Sequence, residues 1–271
     1  MIARVALDNA SSQDNEFPMR VIPVECLRDN YAFIVVSNSG DAVVVDACET
    51  DPIRRALERE RIRPSAIWST HHHADHVGGN LDLSLEYSIP VVGHRSDEGR
   101  LPELSHPVDD GDIVRSGDVQ ARCLHVPGHT LGAVAYYLED YSLVFTGDTL
   151  FSAGCGRLFE GTPELMCRSL ARLASLPGRV NVYFGHEYTE DNLRFAAVLE
   201  PENPDVAAAQ SRASRLRARG EPTLATTLDD ELRTNPFLRL NSPAIRRAFP
   251  GSMASPEEVF AAVRSAKDRF R

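Results

Sequence analysis

Lysine is almost missing from this chain of 271 residues: among 29 lysines and arginines, Lys267 is the only lysine. Against them stand 39 acidic residues, for a formal net charge of −10. That balance excludes nucleic acid as the main partner, because phosphate binding needs basic density. It does not exclude an anionic small molecule, which responds to local cations. No apolar run approaches the roughly 20 residues of a membrane span, so no membrane partner is expected. Residues 1–17 have no charged segment leading into an apolar core. We expect no secretory leader there, only a loosely held extension. Five cysteines, an odd number without CxxC spacing, argue against a disulfide framework and for reduced thiols in a cytoplasm. No G-x-S-x-G elbow and no obvious Ser-His-Asp arrangement is found, so serine-hydrolase chemistry has no support.

What is abundant is histidine in one place. Thr70-His71-His72-His73-Ala74-Asp75-His76 packs four imidazoles and a carboxylate into seven residues. Buried groups of this kind each need a partner, so the stretch is a poor packing device. Three readings compete: a solvated polar loop, a helical zinc pair, and a metal cradle. A helix would set His72 and His76 four apart, but His73 stands where a zincin needs its glutamate base. In an extended segment His71 and His73 project to one side, with Asp75 and His76 following as the chain turns. Imidazole and carboxylate without a nearby thiolate suit zinc, iron or manganese.

The coarse pattern places this cluster. Strands are expected at Met19–Val24, Tyr31–Val36 and Ala42–Val45, a helix from Pro52, and a short buried strand at Ser65–Ser69 leading into the histidines. A helical pattern opens at Val77-Gly78-Gly79 and runs through Leu81, Leu85 and Tyr87. Ile89–Val92 reads as a strand, and Leu101 to Asp112, rich in Pro, Asp and Gly, as loop. Strands follow at Val119–Val126, Ala133–Leu138 and Leu143–Thr146. A helix starts at Thr162-Pro163-Glu164, and a last strand covers Val180–Phe184. Beyond Glu187 only helices are expected, one capped by Asn203 and the last opened by the capping box Ser255-Pro256-Glu257-Glu258. The expected organisation is an extension (1–17), an α+β domain (18–186) and an all-helical domain (187–271).

Three further strands end like the first. Val119–Val126 runs into Gly128-His129, Leu143–Thr146 into Gly147-Asp148, and Val180–Phe184 into Gly185-His186. Each alone reads as a turn. Together with the cluster they read as ligands gathered at strand ends on one sheet edge, where α/β folds build sites. The count is then His71, His73, Asp75, His76, His129, Asp148 and His186. Seven donors exceed what one tetrahedral ion takes. They suit two divalent ions about 3.5 Å apart that share a carboxylate and hydrolyse a carbonyl substrate. His72, His94 and His125 are left unassigned, with His72 pointing away.

This constellation resembles the metallo-β-lactamase superfamily. Asp29-Asn30-Tyr31, Gly154-Cys155-Gly156-Arg157-Leu158-Phe159-Glu160-Gly161, Gly185-His186-Glu187-Tyr188-Thr189, Asn235-Pro236-Phe237 and Lys267-Asp268-Arg269-Phe270 are similar to the glyoxalase II family, from about residue 19 to the C-terminus. The resemblance implies an αββα sandwich with a C-terminal helical domain. It implies cleavage of S-D-lactoylglutathione to D-lactate and glutathione, the second step of methylglyoxal detoxification, by a hydroxide bridging two ions, zinc before iron or manganese. His71, His73 and His129 would hold one ion, Asp75, His76 and His186 the other, with Asp148 bridging and Asp75 and Asp148 cast as catalytic. Glutathione would be bound by Arg157, Tyr188, Arg264 and Lys267, in a monomer. Two departures stand out: Ala47-Cys48-Glu49 replaces a Pro-Gly type turn after Asp46, and Phe159 stands where some relatives have Tyr. A persulfide dioxygenase of the same superfamily, with one iron, is the alternative.

Overall fold

Every residue of the strand Asn30–Val36 is buried, and its alternate residues serve two different cores. Tyr31, Phe33 and Val35 face a core shared between two sheets, whereas Ala32, Ile34 and Val36 face a core shared with helices. The two-residue period of an extended chain makes this possible, and a continuous apolar run is its signature. The computed structural model describes residues 19–249 and 255–270; the expected extension over 1–17 lies outside them.

The first half of the chain runs β1 (Arg20–Cys26), β2 (Asn30–Val36), β3 (Ala42–Val45), α1 (Thr50–Glu60), β4 (Ala66–Trp68), α2 (Ala74–Val77), α3 (Asn80–Tyr87), β5 (Val91–His94) and β6 (Leu104–Val108). Its strands form one sheet in the order β1-β2-β3-β4-β5-β6. The sheet is antiparallel up to β3 and parallel from β3 to β6. Parallel neighbours need crossovers, and α1 supplies one, burying Ile53, Ala56 and Leu57 on the outer face.

The second half runs β7 (Ile113–Ser116), β8 (Val119–His125), β9 (Val134–Leu138), β10 (Leu143–Gly147), β11 (Leu150–Phe151), β12 (Gly154–Cys155), α4 (Pro163–Ala174), β13 (Asn181–Phe184), α5 (Thr189–Leu199), α6 (Pro204–Ala218), β14 (Thr226–Thr227), α7 (Leu228–Thr234), α8 (Pro243–Ala248) and α9 (Pro256–Arg269). The second sheet has the order β14-β13-β10-β9-β8-β7, and β11 with β12 forms a small hairpin. Phe33, Trp68, Tyr136, Phe145 and Tyr183 fill the space between the sheets. Met166, Leu170 and Leu173 of α4 and Val259, Phe260 and Val263 of α9 close the other face. The result is the expected αββα sandwich, an α+β fold with a helical C-terminal part.

Three local expectations are corrected. Residues 101–112 are not all loop, because Leu104–Val108 is β6, paired parallel with β5. As an edge strand it buries only Val108 fully and tolerates Pro107, so it lacks an apolar signal. The helix expected to open at Val77-Gly78-Gly79 starts only after the glycines, as α3, and a separate short helix, α2, carries Asp75 and His76 and ends before them. A Cβ at Gly78 would come within 2.7 Å of Cys48 O, so only glycine lets this break seat against the 46–48 turn. The part beyond Glu187 also contributes a strand, β14, which pairs antiparallel with β13 and joins that part to the second sheet.

Candidate metal centre

Four strands end on one edge of the sandwich, each delivering donors just past its last residue. β10 and β13 are parallel, and β8 runs the same way because β9 is antiparallel to both β8 and β10. Their ends therefore carry His129, Asp148 and His186 to a common edge. β4 belongs to the other sheet, and its end is stitched across by Val134 N donating to Thr70 O at 2.9 Å.

The structure brings all seven expected donors together. His71 Nε2 and His129 Nε2 lie 3.1 and 3.0 Å from His73 Nδ1. His76 Nε2 lies 3.3 Å from His186 Nε2, and Asp75 Oδ2 is 3.5 Å from the latter. Donor atoms of His71, His73 and His129, and those of Asp75, His76 and His186, form two compact trios. Asp148 lies between them: Oδ2 is 3.4 Å from His129 Nε2 and 3.3 Å from His186 Nε2, and Oδ1 is 3.3 Å from His76 Nε2. Buried Asp148 Oδ1 nonetheless makes no hydrogen bond of acceptable geometry.

The far sides of the rings decide where their lone pairs point. His129 Nδ1 donates to Arg157 O at 2.9 Å, since a carbonyl only accepts. His76 Nδ1 donates to Asp46 Oδ2 at 3.0 Å, and His186 Nδ1 to Asp29 Oδ1 at 2.9 Å. Thr70 Oγ1 donates to Asp46 Oδ2, so it accepts from His71 Nδ1 at 3.0 Å. Four Nε2 lone pairs are thus turned into the cluster. Lone pairs 3.0–3.3 Å apart repel unless a cation lies among them. Donors about 2.1 Å from a tetrahedral zinc would stand roughly 3.4 Å from one another. The donor set fits divalent metal.

Burial and neighbouring imidazoles hold His71 well below the usual histidine range and His73 down to about 4. Burial likewise lowers His129. For His76 and His186 burial also lowers, but the Asp148 carboxylate, with Asp46 and Asp29 behind the rings, outweighs it and raises both. Asp148 in turn is held well below its ordinary value by His76 and His186, against its burial. These shifts favour the neutral ligand form at His71, His73 and His129 and oppose it at His76 and His186, so metal uptake at the latter two is linked to pH.

The cluster opens into a cavity of about 630 Å³ lined by Arg157, Tyr188, Arg264 and Lys267 among others. These four have unequal freedom. The exposed Arg157 side chain makes no hydrogen bond or ion pair with the described residues. Tyr188 stacks on His186 with ring centroids 4.7 Å apart. Lys267 Nζ donates to Asp191 O at 3.2 Å between the rings of Phe195 and Phe270. Arg264 is buried: it donates to Cys155 O at 2.8 Å, pairs with Asp268 at 2.8 Å and lies over the Phe237 ring.

Residues 27–186 match the model of the metallo-beta-lactamase superfamily, and residues 187–270 that of the hydroxyacylglutathione hydrolase C-terminus. A hydroxyacylglutathione hydrolase of Maricaulis maris is 43% identical over 94% of this chain and 100% of its own length. Another, from Gloeobacter violaceus, is 46% identical over 93% of this chain and 100% of its own length. The chain belongs to the hydroxyacylglutathione hydrolase family. Among solved structures, TTHA1623 in a di-iron-bound form is 27% identical, with a TM-score of 0.61 over 80% of this chain and 100% of that one. ETHE1 from Myxococcus xanthus, 24% identical over 94% of this chain and 100% of its own, shares the fold at a TM-score of 0.62.

In this family member, reasoning from sequence left Asp29 without a role and that of Asp46 open. Asp29 sits in the turn before β2 and reaches His186 across 157 positions, for which nothing local in the sequence is a signal. Asp46 keeps its place despite the Ala47-Cys48 turn: it adopts φ 53°, Cys48 N donates back to its carbonyl, and its carboxylate grips Thr70 N, Thr70 Oγ1 and His76. Asn30 Nδ2 holds Asp75 through both its carbonyl and Oδ2 at 3.1 Å.

Proposed function

We propose that this protein hydrolyses S-D-lactoylglutathione, a 2-hydroxyacyl thioester, to D-lactate and glutathione at a two-metal centre, acting as a monomer. The carrying observation is the Asp148 carboxylate set between two trios of donors, with family membership beside it. His71, His73 and His129 are read as holding one ion, Asp75, His76 and His186 the other, and Asp148 as shared. When bound, the ions supply a water of pKa near ~7 and a positive field for the thioester carbonyl oxygen. Asp46 and Asp29 keep the imidazoles aimed, and Asn30 does the same for Asp75. Arg157 and Lys267 are the cations offered to the glutathione carboxylates, Tyr188 supplies an aromatic face beside His186, and Arg264 holds the Cys155 segment and the last helix in register. The C–S bond is replaced by a C–O bond from water. The thiolate leaves readily, so no strong protein acid is needed.

We read residues 18–186 as carrying the metal centre and 187–271 as the glutathione-binding part; one chain provides every residue named. Zinc is the first choice of metal, and the di-iron relative keeps iron as a second. The five free cysteines accord with a cytoplasmic setting, and among the described residues no helix is long and apolar enough to cross a membrane. The persulfide dioxygenase reading has no comparable support, since curated relatives at 42–46% identity are hydroxyacylglutathione hydrolases. The test is turnover of S-D-lactoylglutathione by metal-analysed protein. Two ions per chain with thioester cleavage is the expected result; two ions without cleavage, or oxygen uptake with glutathione persulfide, overturns it.

A further inference from the structure

Of the five clustered histidines, His73 alone has no hydrogen bond on its distal nitrogen among the described residues. The other four are aimed by Asp46, Thr70, Asp29 or the Arg157 carbonyl. Something else must fix the ring that presents Nδ1 rather than Nε2. The neighbouring His72 sits where such a device is needed. It points away from the cluster, as alternation along the segment requires, with its ring centroid 5.1 Å from that of His73.

His72 lies between two carboxylates. Its Nδ1 is 3.2 Å from Asp97 Oδ1 and its Nε2 3.5 Å from Glu160 Oε1, close approaches in which the buried Nδ1 makes no hydrogen bond among the described residues. Asp97 is fully buried, and its Oδ2 has no hydrogen-bond partner. Arg100 bridges the same two acids, donating to Asp97 Oδ1 at 2.6 Å and to Glu160 Oε1. Glu160 reaches the opposite loop as well: its Oε2 accepts from Leu131 N at 2.7 Å, while Phe159 N and Glu160 N donate to His129 O. One charged network therefore grips the chain on both sides of the first trio, at His72 beside His73 and at Leu131 beside His129. Burying the Asp97 carboxylate, with a half-buried Glu160 and an exposed arginine beside it, is a costly way merely to fill space.

We propose that His72, set between Asp97 and Glu160, the two acids that Arg100 bridges, is a positioning residue that sets His73 Nδ1 for the metal held with His71 and His129. The proposal rests on the two-metal reading but is tested apart from turnover, by titrating metal-free protein with cobalt(II) against a chelator and following the visible absorption. Wild type is expected to take up two ions. His72→Ala is expected to keep one affinity and to lose about 10–100-fold in the other, as loss of an orienting partner does. KM should be unchanged and kcat should fall only when metal is limiting. His72→Gln keeps a donor towards the carboxylates and should recover part of the affinity. Glu160→Gln, which leaves His72 in place, should weaken the same single ion. Two affinities equal to wild type in His72→Ala overturn the proposal. So does equal weakening of both with a lower Tm of the metal-free protein, which marks general unfolding. Failure of wild type to bind two ions would instead sink the two-metal reading itself.

Discussion

Asp148 is the residue on which the reading of the site turns, because its carboxylate lies within 3.4 Å of His129 on one side and of His76 and His186 on the other. Asp148→Asn removes the charge that holds two sets of imidazoles and is expected to leave one ion per chain. Its kcat should fall by more than the roughly 10–100-fold that loss of an orienting partner causes. Metal analysis beside turnover checks this, and two ions with wild-type kcat would contradict it. At Lys267 the signal is pH. Burial, reinforced by Arg264, Arg194 and Arg157 and opposed by Asp191, pushes its ammonium down to about 8. Above pH 8 the free protein loses that charge. KM for the glutathione thioester should therefore rise between pH 7 and 9, towards tenfold per unit, with kcat unaffected. Lys267→Arg stays charged and should flatten the profile. A wild-type KM that ignores pH would remove Lys267 from the binding set.

At the scale of elements, the last helix carries two of the pocket cations, so its anchorage is a functional matter. Ser255 caps α9 in a full capping box, and Phe260, fully buried, fixes its rotation against Phe237. Phe260→Ala should cost about 3–5 kcal/mol by leaving a cavity and raise KM with little change in metal content. Denaturant unfolding and metal analysis on the same preparation separate the two effects. Elements with a clear local mark were legible beforehand: β2 and β8 by their apolar runs, α4 by its apolar stripe and Thr162 cap, and α6 by its Asn203 cap all lie where the pattern puts them. The missed ones, β6, β7, β14 and the short hairpin of β11 and β12, are edge or two-residue strands. β6 and β14 pair with strands set by the tertiary fold, β7 lies half in solvent, and β11 and β12 are two residues each, so no local period marks them.

Across the whole molecule, the junction of the helical part with the sandwich passes through one buried acid. Glu231 of α7 accepts from Thr226 Oγ1, Ala153 N and Asn235 Nδ2, and Asn235 also donates to Phe151 O and Gly154 O. Burial pushes Glu231 up to about 7, with those donors opposing. A carboxyl raised in the fold favours the native state while protonated, so its contribution is whole below pH ~4.5 and lost as pH rises through 7. The linkage is on the order of 3 kcal/mol. In Glu231→Gln the amide oxygen can take Ala153 N and Asn235 Nδ2 while its NH2 meets the Thr226 hydroxyl. The variant should lose this pH dependence, and unfolding free energies from pH 5 to 8 in both proteins check it. Parallel curves would show that Glu231 does not titrate there.

By itself the sequence determined which donors exist and that they gather on one edge, because strand alternation and strand-end turns are local properties of the chain. His71, His73, Asp75 and His76 are named by spacing alone, and His129, Asp148 and His186 by the apolar runs before them. The tertiary structure decided which ring nitrogen each histidine presents and which carboxylates stand behind them. Asp46 reaches His76 across 30 positions and Asp29 reaches His186 across 157. It also decided that Arg264 spends its guanidinium on Cys155 and Asp268, whereas Arg157 has no side-chain partner among the described residues. Such pairings are made between elements that meet only when two sheets stack, and no period within either element encodes them.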